Sequence, residues 1–177
     1  LQAYKIGSGN DGEFERELPR RVTAFRNWAI KRSDHHRFSR EYKKGIDILQ
    51  SAVEEVTEYK DSEDIDVEDT IIELRAQKRV LEMEKSLVDS NYELALETAG
   101  NIIKQYSEAG NDNSQQWAIT KRKEIQAIIH ETNGNLESAA SIHRDVGESD
   151  WITEARKSWH VHRADICQAK QLALDGR

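Results

Sequence analysis

The chain contains little cysteine, little proline and no long hydrophobic run. Its single cysteine, Cys167, excludes an internal disulfide and a zinc site built from several cysteines, and we expect a buried helical thiol. No segment approaches the roughly 18 consecutive apolar residues of a membrane span, and no signal-peptide pattern opens the chain. We therefore expect an intracellular, cytoplasmic protein with no membrane partner.

The rest of the composition favours an ordered helical protein. Of the 177 residues, 37% are hydrophobic and 33% are charged, and no alternating strand pattern interrupts the helical spacing of the apolar residues. The chain begins with Leu1 and its only methionine is Met83, so we expect a piece of a longer protein. The parent protein and the oligomeric state do not follow from the residues.

Charge is distributed unevenly along the chain. The net charge is -7, yet residues 14–44 carry ten Lys/Arg against four Asp/Glu, and residues 47–97 carry five against sixteen. Such a polarised chain can attract charged partners, or its own segments can pair with each other.

Helical periodicity predicts an all-α fold of seven helices in one domain. We expect a flexible lead-in over residues 1–13 and a single helical domain over 14–177. Its expected parts are hairpins over about 14–60, 66–108 and 113–147 and a closing helix over 150–174. The segment RSDHH, residues 32–36, is expected to interrupt the first hairpin, and Pro19 is expected in a first helical turn. Ser62 or Asp66, and Asp150, are the expected N-caps.

Three stretches of the sequence share one pattern, namely residues 38–48, 89–99 and 133–143. Each has a polar or turn-forming start, then an aromatic or aliphatic residue, and a small residue three positions later. The pairs are Tyr42 with Gly45, Tyr92 with Ala95, and Leu136 with Ala139. A small residue there allows two helices to approach closely, so the pattern predicts the second helix of three hairpins.

These stretches resemble the second-helix opening of the tetratricopeptide-repeat superfamily. SNYELAL is the nearest match, NGNLESAASI and REYKKGI are weaker, and Ala127 stands where the family has a small first-helix residue. The resemblance covers about residues 18–147. It departs from the family at Met83 and in its longer repeat, because the family repeats about every 34 residues. It implies a right-handed stack of about three hairpins, a TPR-like α-solenoid, plus the closing helix.

The resemblance also implies a function and a binding groove. In that superfamily the first helix of each pair lines a concave groove that binds peptides or partner helices. We therefore expect a protein- or peptide-binding scaffold, or a regulatory module of a larger protein, with no catalytic residue, no metal and no cofactor. The groove candidates carried over by position are Arg26, Ile30, Gln77, Val80, Glu84, Lys121, Glu124, Ile128 and Glu131. The same residues are equally compatible with ordinary solvated or core positions.

Nucleic-acid binding is the first alternative. The basic segment 14–44 mixes arginines with aromatic residues, a combination that can contact phosphates and stack on bases. These residues are Arg20, Arg21, Arg26, Arg32, Arg37 and Arg40, with Phe25, Trp28, Phe38 and Tyr42. The aromatic residues also follow the spacing of a helix core, which predicts burial instead.

A ribonuclease is the second alternative. Arg156 and His162 are separated by five residues, which is similar to the Arg-x(4–6)-His motif of helical HEPN ribonucleases. Arginine there would stabilise a phosphate and histidine would act as a general acid or base. His162 also lies on an apolar stripe with Trp151 and Trp159, which packing explains. If that stripe is exposed, it predicts a dimer or partner surface instead.

Adjacent histidines His35 and His36 follow Asp34 in a basic stretch. Neighbouring residues on a helix point in different directions, and a metal site needs a third ligand oriented toward the first two. We therefore expect a solvated turn at this point and no metal site.

Overall fold

Seven α-helices and no β-strand make up the part of the chain that the structure describes, which confirms the all-α fold class there. This computed structural model describes residues 11–60 and 67–176, with side chains from Leu18 onward. Residues 1–10 of the expected lead-in, and the expected caps Ser62 and Asp66, lie outside it. The helices are α1 (Asp11–Phe38), α2 (Tyr42–Thr57), α3 (Glu68–Val88), α4 (Tyr92–Glu108), α5 (Asp112–Thr132), α6 (Leu136–Gly147) and α7 (Glu154–Leu174). Among these helices none is both long enough and apolar enough to cross a membrane.

The chain divides into two compact units. Unit 1 comprises residues 1–85 and unit 2 comprises residues 86–177, so the boundary falls near the end of α3. The sequence analysis predicted a single domain over 14–177. Each unit has a buried cluster of its own.

The core of unit 1 is built from one apolar stripe on each of its helices. On α2 the stripe runs through Leu49, Val53 and Val56, which are spaced four and three residues apart and are all buried. Burial of one such side chain contributes about 1.5–3 kcal/mol. The stripe meets residues of α1 and α3 and the residue that precedes α3, namely Leu18, Val22, Ala29, Val67, Ile71, Leu74 and Leu81.

Gly45 marks the closest approach of α2 to its neighbours. A Cβ atom at this position would lie 2.9 Å from Cδ1 of Leu81 and 3.2 Å from the backbone oxygen of Ser33. Ser33 belongs to α1 and Leu81 to α3. The missing side chain therefore permits the contact among all three helices of unit 1.

In unit 2, helices that follow one another in sequence pack together: α4 with α5, α5 with α6, and α6 with α7. Small residues line the contact between the last two. Ala139 and Ala140 of α6 pack with Ala164 and Cys167 of α7, and all four are buried. Short side chains on both helices allow their backbones to approach closely.

One turn geometry recurs between helices. A residue with positive φ is followed by a residue whose N–H donates to the carbonyl five positions earlier, as at many helix C-termini. The φ values are +58° at Arg40, +58° at Ser90, +64° at Gly110 and +77° at Gly134. The donor and acceptor pairs are Glu41 with His36, Asn91 with Ser86, Asn111 with Tyr106, and Asn135 with His130, at 2.8–2.9 Å. The predicted helix openings at Tyr92 and Leu136 are confirmed, because α4 and α6 begin there, whereas α2 begins at Tyr42 and not at the predicted start near Ser39.

The predicted break at residues 32–36 is wrong, because α1 continues without interruption to Phe38. Pro19 lies inside this helix instead of in its first turn, and residues 11–13, which were assigned to the lead-in, are helical. The polar residues near the end of α1 are accommodated because they have partners. The hydroxyl of Ser33 donates to the carbonyl of Ile30 at 2.8 Å, and Nδ1 of His36 lies 2.8 Å from Glu41.

The last helix differs from its prediction at its start and in its buried face. It begins at Glu154 after Thr153, so Asp150 is not its N-cap. Trp159 and His162 of the expected apolar stripe are exposed, whereas His160 and Cys167 are buried. A polar stripe can face inward here because it meets acidic partners on α5.

Candidate functional site

Two features of the described residues can carry function, one in each unit. Unit 2 contains a network of charged and polar side chains, buried at its centre and partly exposed at its edge, which we call the polar network. Its members are Lys121, Glu124 and Glu131 on α5, His143 on α6, and Arg156, His160, Arg163 and Cys167 on α7. Unit 1 contains an apolar pocket beside an exposed tryptophan.

Glu124 is the first centre of the polar network. Its carboxylate accepts hydrogen bonds from Arg156 Nε and Nη2, both at 2.7 Å, from Lys121 Nζ at 2.9 Å and from His160 Nε2 at 3.2 Å. The residue is only 5% exposed. Burial alone raises the pKa of this carboxyl group, but the hydrogen bonds from His160 and Arg156 and the charge of Lys121 outweigh burial. The net result is a pKa well below the ordinary value.

Glu131 is the second centre, two helical turns further along α5. It binds Arg163 through two nitrogens and accepts from His143 Nε2 at 2.9 Å and from Cys167 Sγ at 3.2 Å. Burial opposes ionisation of this carboxyl group, but hydrogen bonds, that from Arg163 first, lower its pKa overall. The carboxylate thus ties α5 to both α6 and α7.

Two buried histidines join these centres. His143 Nδ1 lies 2.8 Å from His160 Nδ1, so the hydrogen-bonded chain runs from Glu124 through both imidazole rings to Glu131. The side chains are about 1% exposed. Burial lowers the pKa of His143, against the opposing effect of Glu131. The edge of Trp159 packs against both rings.

Cys167 is a protonated thiol in this arrangement. Burial, reinforced by its hydrogen bond to Glu131, raises the pKa of the thiol to about 11. A free thiolate, which is the nucleophilic form, is therefore disfavoured at neutral pH. The expectation of a buried helical thiol is confirmed.

The pocket of unit 1 lies between α1 and α2. The rings of Phe25 and Trp28 stack with centroids 5.6 Å apart, and Trp28 is 54% exposed. A cavity of about 310 Å³ lies beside them. Its other wall is one face of α2, formed by Asp47, Ile48, Ser51, Ala52 and Glu55. The pocket therefore combines aromatic surface with two carboxylates.

The groove residues that the resemblance implied in unit 1 are engaged in contacts within that unit. Arg26 Nη1 lies 3.0 Å from Glu73, and Glu84 accepts from Arg37 Nε at 2.7 Å. Gln77 is half-buried on α3. Of the predicted candidates in unit 2, Lys121, Glu124 and Glu131 are members of the polar network, and Ile128 is half-buried on α5.

The two residues of the ribonuclease alternative have different surroundings, and the alternative stays a prediction. Arg156 meets His160 through Glu124, whereas His162 is exposed on α7. His35 packs edge-on against His36, and the latter contacts Glu41.

Sequence reasoning missed the inward-facing polar stripe of α7, although a signal for it was present. Polar residues recur along α7 at intervals of four, three and four, namely Arg156, His160, Arg163 and Cys167. Such spacing places them on one helix face. Complementary residues recur on α5 at Lys121, Glu124 and Glu131, which are three and seven residues apart.

Comparisons of the chain with known protein families, with curated proteins and with solved structures give no match.

Proposed function

We propose that this chain is a protein-interaction module, a scaffold or regulatory part of a larger protein, and that it binds its partner at the pocket between α1 and α2. The observation that carries the proposal is Trp28, which is half exposed, stacks on Phe25 and borders the cavity. Aromatic residues beside a concave apolar surface supply most of the binding energy in many protein interfaces.

The chemistry of the pocket defines the partner. An apolar side chain of the partner would fill the cavity against the two aromatic rings. A lysine or arginine near it would meet Asp47 and Glu55, which lie on the opposite wall. We therefore propose a partner segment in which an apolar residue is flanked by basic residues.

The same two carboxylates argue against nucleic acid at this surface. Trp28 and Phe38 are exposed and lie among arginines of α1, which is the arrangement that the nucleic-acid alternative requires. However, a phosphate backbone placed on the Trp28 ring would also approach Asp47 and Glu55 and be repelled by them. Protein is the better-supported partner.

We further propose that α1–α2 and α5–α6 are hairpins of the tetratricopeptide-repeat type. The support is that α2 and α6 begin at matching residues and that Gly45 and Ala139 are both buried. The right-handed stacking of about three hairpins stays a prediction. The exposed Trp159 offers a second aromatic contact in unit 2.

Selection from a random peptide display library tests the proposal. We expect enriched peptides to share an apolar residue with arginine or lysine three or four positions away. Fluorescence anisotropy of a labelled peptide from the enriched set then measures its affinity for the chain. Trp28→Ala and Asp47→Lys are each expected to weaken binding by about tenfold or more.

Matched controls separate the pocket from general surface effects. Phe38→Ala removes a more exposed aromatic side chain from the same helix, and Glu97→Lys reverses an exposed charge on α4. Neither is expected to change affinity. Peptides that bind the Trp28→Ala variant with the same affinity as the original chain would refute the pocket as the binding site. Labelled oligouridine that binds through Trp28 with a steep salt dependence would establish the nucleic-acid alternative instead.

A further inference from the structure

Glu131, His143 and Cys167 bring three metal-ligating atoms from three helices into one place. Oε1 of Glu131 lies 2.9 Å from Nε2 of His143 and 3.2 Å from Sγ of Cys167. The three ligand atoms all lie within 4.8 Å of one another, and the histidine and the cysteine are buried. Oxygen, nitrogen and sulfur are together the ligand types that Zn²⁺ accepts in proteins.

The two histidines lack one hydrogen for the contacts that they make. Their four ring nitrogens form three hydrogen bonds: to Glu131, to each other and to Glu124. Ionised carboxylates only accept, and two neutral imidazoles hold two N–H groups between them, whereas three bonds need three donors. A further proton within the network, or a metal cation in place of one hydrogen, would supply what is missing.

We propose that Glu131 Oε1, His143 Nε2 and Cys167 Sγ bind one zinc ion, with the fourth position open to water. With the metal on Nε2, His143 carries its hydrogen on Nδ1 and donates it to His160. His160 then donates from Nε2 to Glu124. Two neutral imidazoles satisfy both remaining hydrogen bonds, and the missing donor is no longer required.

The proton balance of binding is simple. Zinc replaces the hydrogen of the Cys167 thiol, which leaves to solvent as the thiolate bonds to the metal. Any third proton on the histidine pair also leaves to solvent. The carboxylate of Glu131 and the thiolate together balance the two positive charges of the ion.

The neighbouring residues suit a metal site. Tetrahedral zinc with bonds of about 2.0–2.3 Å separates its ligands by about 3.3–3.7 Å. Oε1 of Glu131 would therefore move away from Nε2 of His143 and from Sγ of Cys167 by tenths of an ångström. Arg163 binds both oxygens of Glu131 and can keep Oε2 when the metal takes Oε1. The chain from His143 through His160 to Glu124 orients the histidine ligand, as outer hydrogen-bond partners do in known metal sites.

Cobalt substitution of the full, tag-free chain is the decisive experiment, because Co²⁺ reports its ligands by absorption. The chain is first freed of metal with a chelator and then titrated with Co²⁺. We expect one equivalent to produce the visible bands of tetrahedral cobalt and a near-ultraviolet thiolate-to-cobalt band. Because the sequence contains a single cysteine, a thiolate band can come only from Cys167. Added Zn²⁺ is expected to remove both signals by displacement.

Variants establish the ligand set. Cys167→Ser keeps a group that can donate to Glu131 and is expected to fold, as circular dichroism would show, while losing the thiolate band. His143→Gln is expected to weaken cobalt binding by about tenfold or more. His162→Ala, which removes an exposed histidine from the same helix as Cys167, is expected to change nothing.

Zinc is also expected to stabilise the chain. At a hundredfold excess over its dissociation constant it should raise the Tm by about 5–10 °C in the original chain and not in Cys167→Ser. A folded original chain that gives no thiolate band with Co²⁺ would overturn the proposal. Cobalt binding without that band, unchanged in Cys167→Ser, would likewise identify an adventitious surface site. The proposal concerns unit 2 alone and stands whether or not the pocket of unit 1 binds a peptide.

Discussion

At the scale of single residues, Glu124 shows how a buried charge is maintained. A carboxylate that is 5% exposed would lose much of its hydration energy. Here Lys121, Arg156 and His160 replace the lost water with charge and hydrogen bonds. The ionised form therefore depends on contacts from two helices.

The lowered pKa of Glu124 makes unit 2 sensitive to acid. Because the folded-state pKa lies below the unfolded value near 4.5, the stabilisation is complete above about pH 5 and is lost as the pH falls below that value. Glu124→Gln should cost about 3 kcal/mol at pH 7, the low end of the range of about 3–5 kcal/mol for a broken buried pair, because Arg156 is half exposed. The variant should also lose less stability than the original chain between pH 5 and pH 3.

Urea denaturation at several pH values, in the presence of a chelator, measures both effects. Glu97→Gln is the matched control because Glu97 is exposed on α4, and it should follow the original chain at every pH. Parallel pH profiles for Glu124→Gln and the original chain would contradict the assigned role of this carboxylate.

At the scale of the elements, the spacing between helices is set by small residues at particular positions. Gly45 lies against Leu81 and the backbone of Ser33, whereas a Cβ atom at Gly100, within α4, would meet nothing within 4 Å. The two glycines share one intrinsic cost in a helix, of about 1 kcal/mol relative to alanine. Only one of them is required by packing.

The same substitution should therefore have opposite effects at the two glycines. Gly100→Ala should stabilise the chain by about 0.5–1 kcal/mol through helix propensity alone. Gly45→Ala gains the same propensity but must displace the buried Leu81 and crowd a backbone carbonyl, so we expect a net loss of about 1–2 kcal/mol. Chemical denaturation of both variants measures the difference. Equal stabilisation would show that α2 can move away from its neighbours without cost.

The element boundaries were predictable where the signal is local. The openings at Tyr92 and Leu136 follow turn-forming residues, and their positions could be derived from the sequence. The predicted break at residues 32–36 failed because polar residues such as Ser33 and His36 found partners in and beyond α1. Helix propensity is only a weak indicator of where a helix ends when tertiary contacts compete with it.

The polar network could be predicted only in part. The spacing of Arg156, His160, Arg163 and Cys167 places them on one face of α7, but the sequence pattern alone makes such a face look solvated. That this face is buried depends on which helix packs against it and in which register. The pairing of His143 with His160 is a product of the packing of α6 on α7 and has no counterpart in local sequence.

At the scale of the whole chain, the two compact units raise the question of whether they unfold together. Each unit has a buried cluster of its own, around Leu49 in one and around Ala139 in the other. Regions with separate cores can open with different free energies. The division into two units therefore predicts that they can unfold with different free energies, whereas a single domain would unfold as a whole.

Native-state hydrogen exchange with one variant in each unit tests this independence. Leu49→Ala removes a fully buried side chain at a cost of about 2–5 kcal/mol and should lower amide protection only in the helices of unit 1, namely α1, α2 and α3. Glu124→Gln should lower protection only in the helices of unit 2, namely α4, α5, α6 and α7. If either variant lowers protection equally throughout both units, the chain unfolds as one cooperative domain, in line with the single domain that the sequence analysis predicted. A loss of stability at one core is then shared by every amide that exchanges through global unfolding.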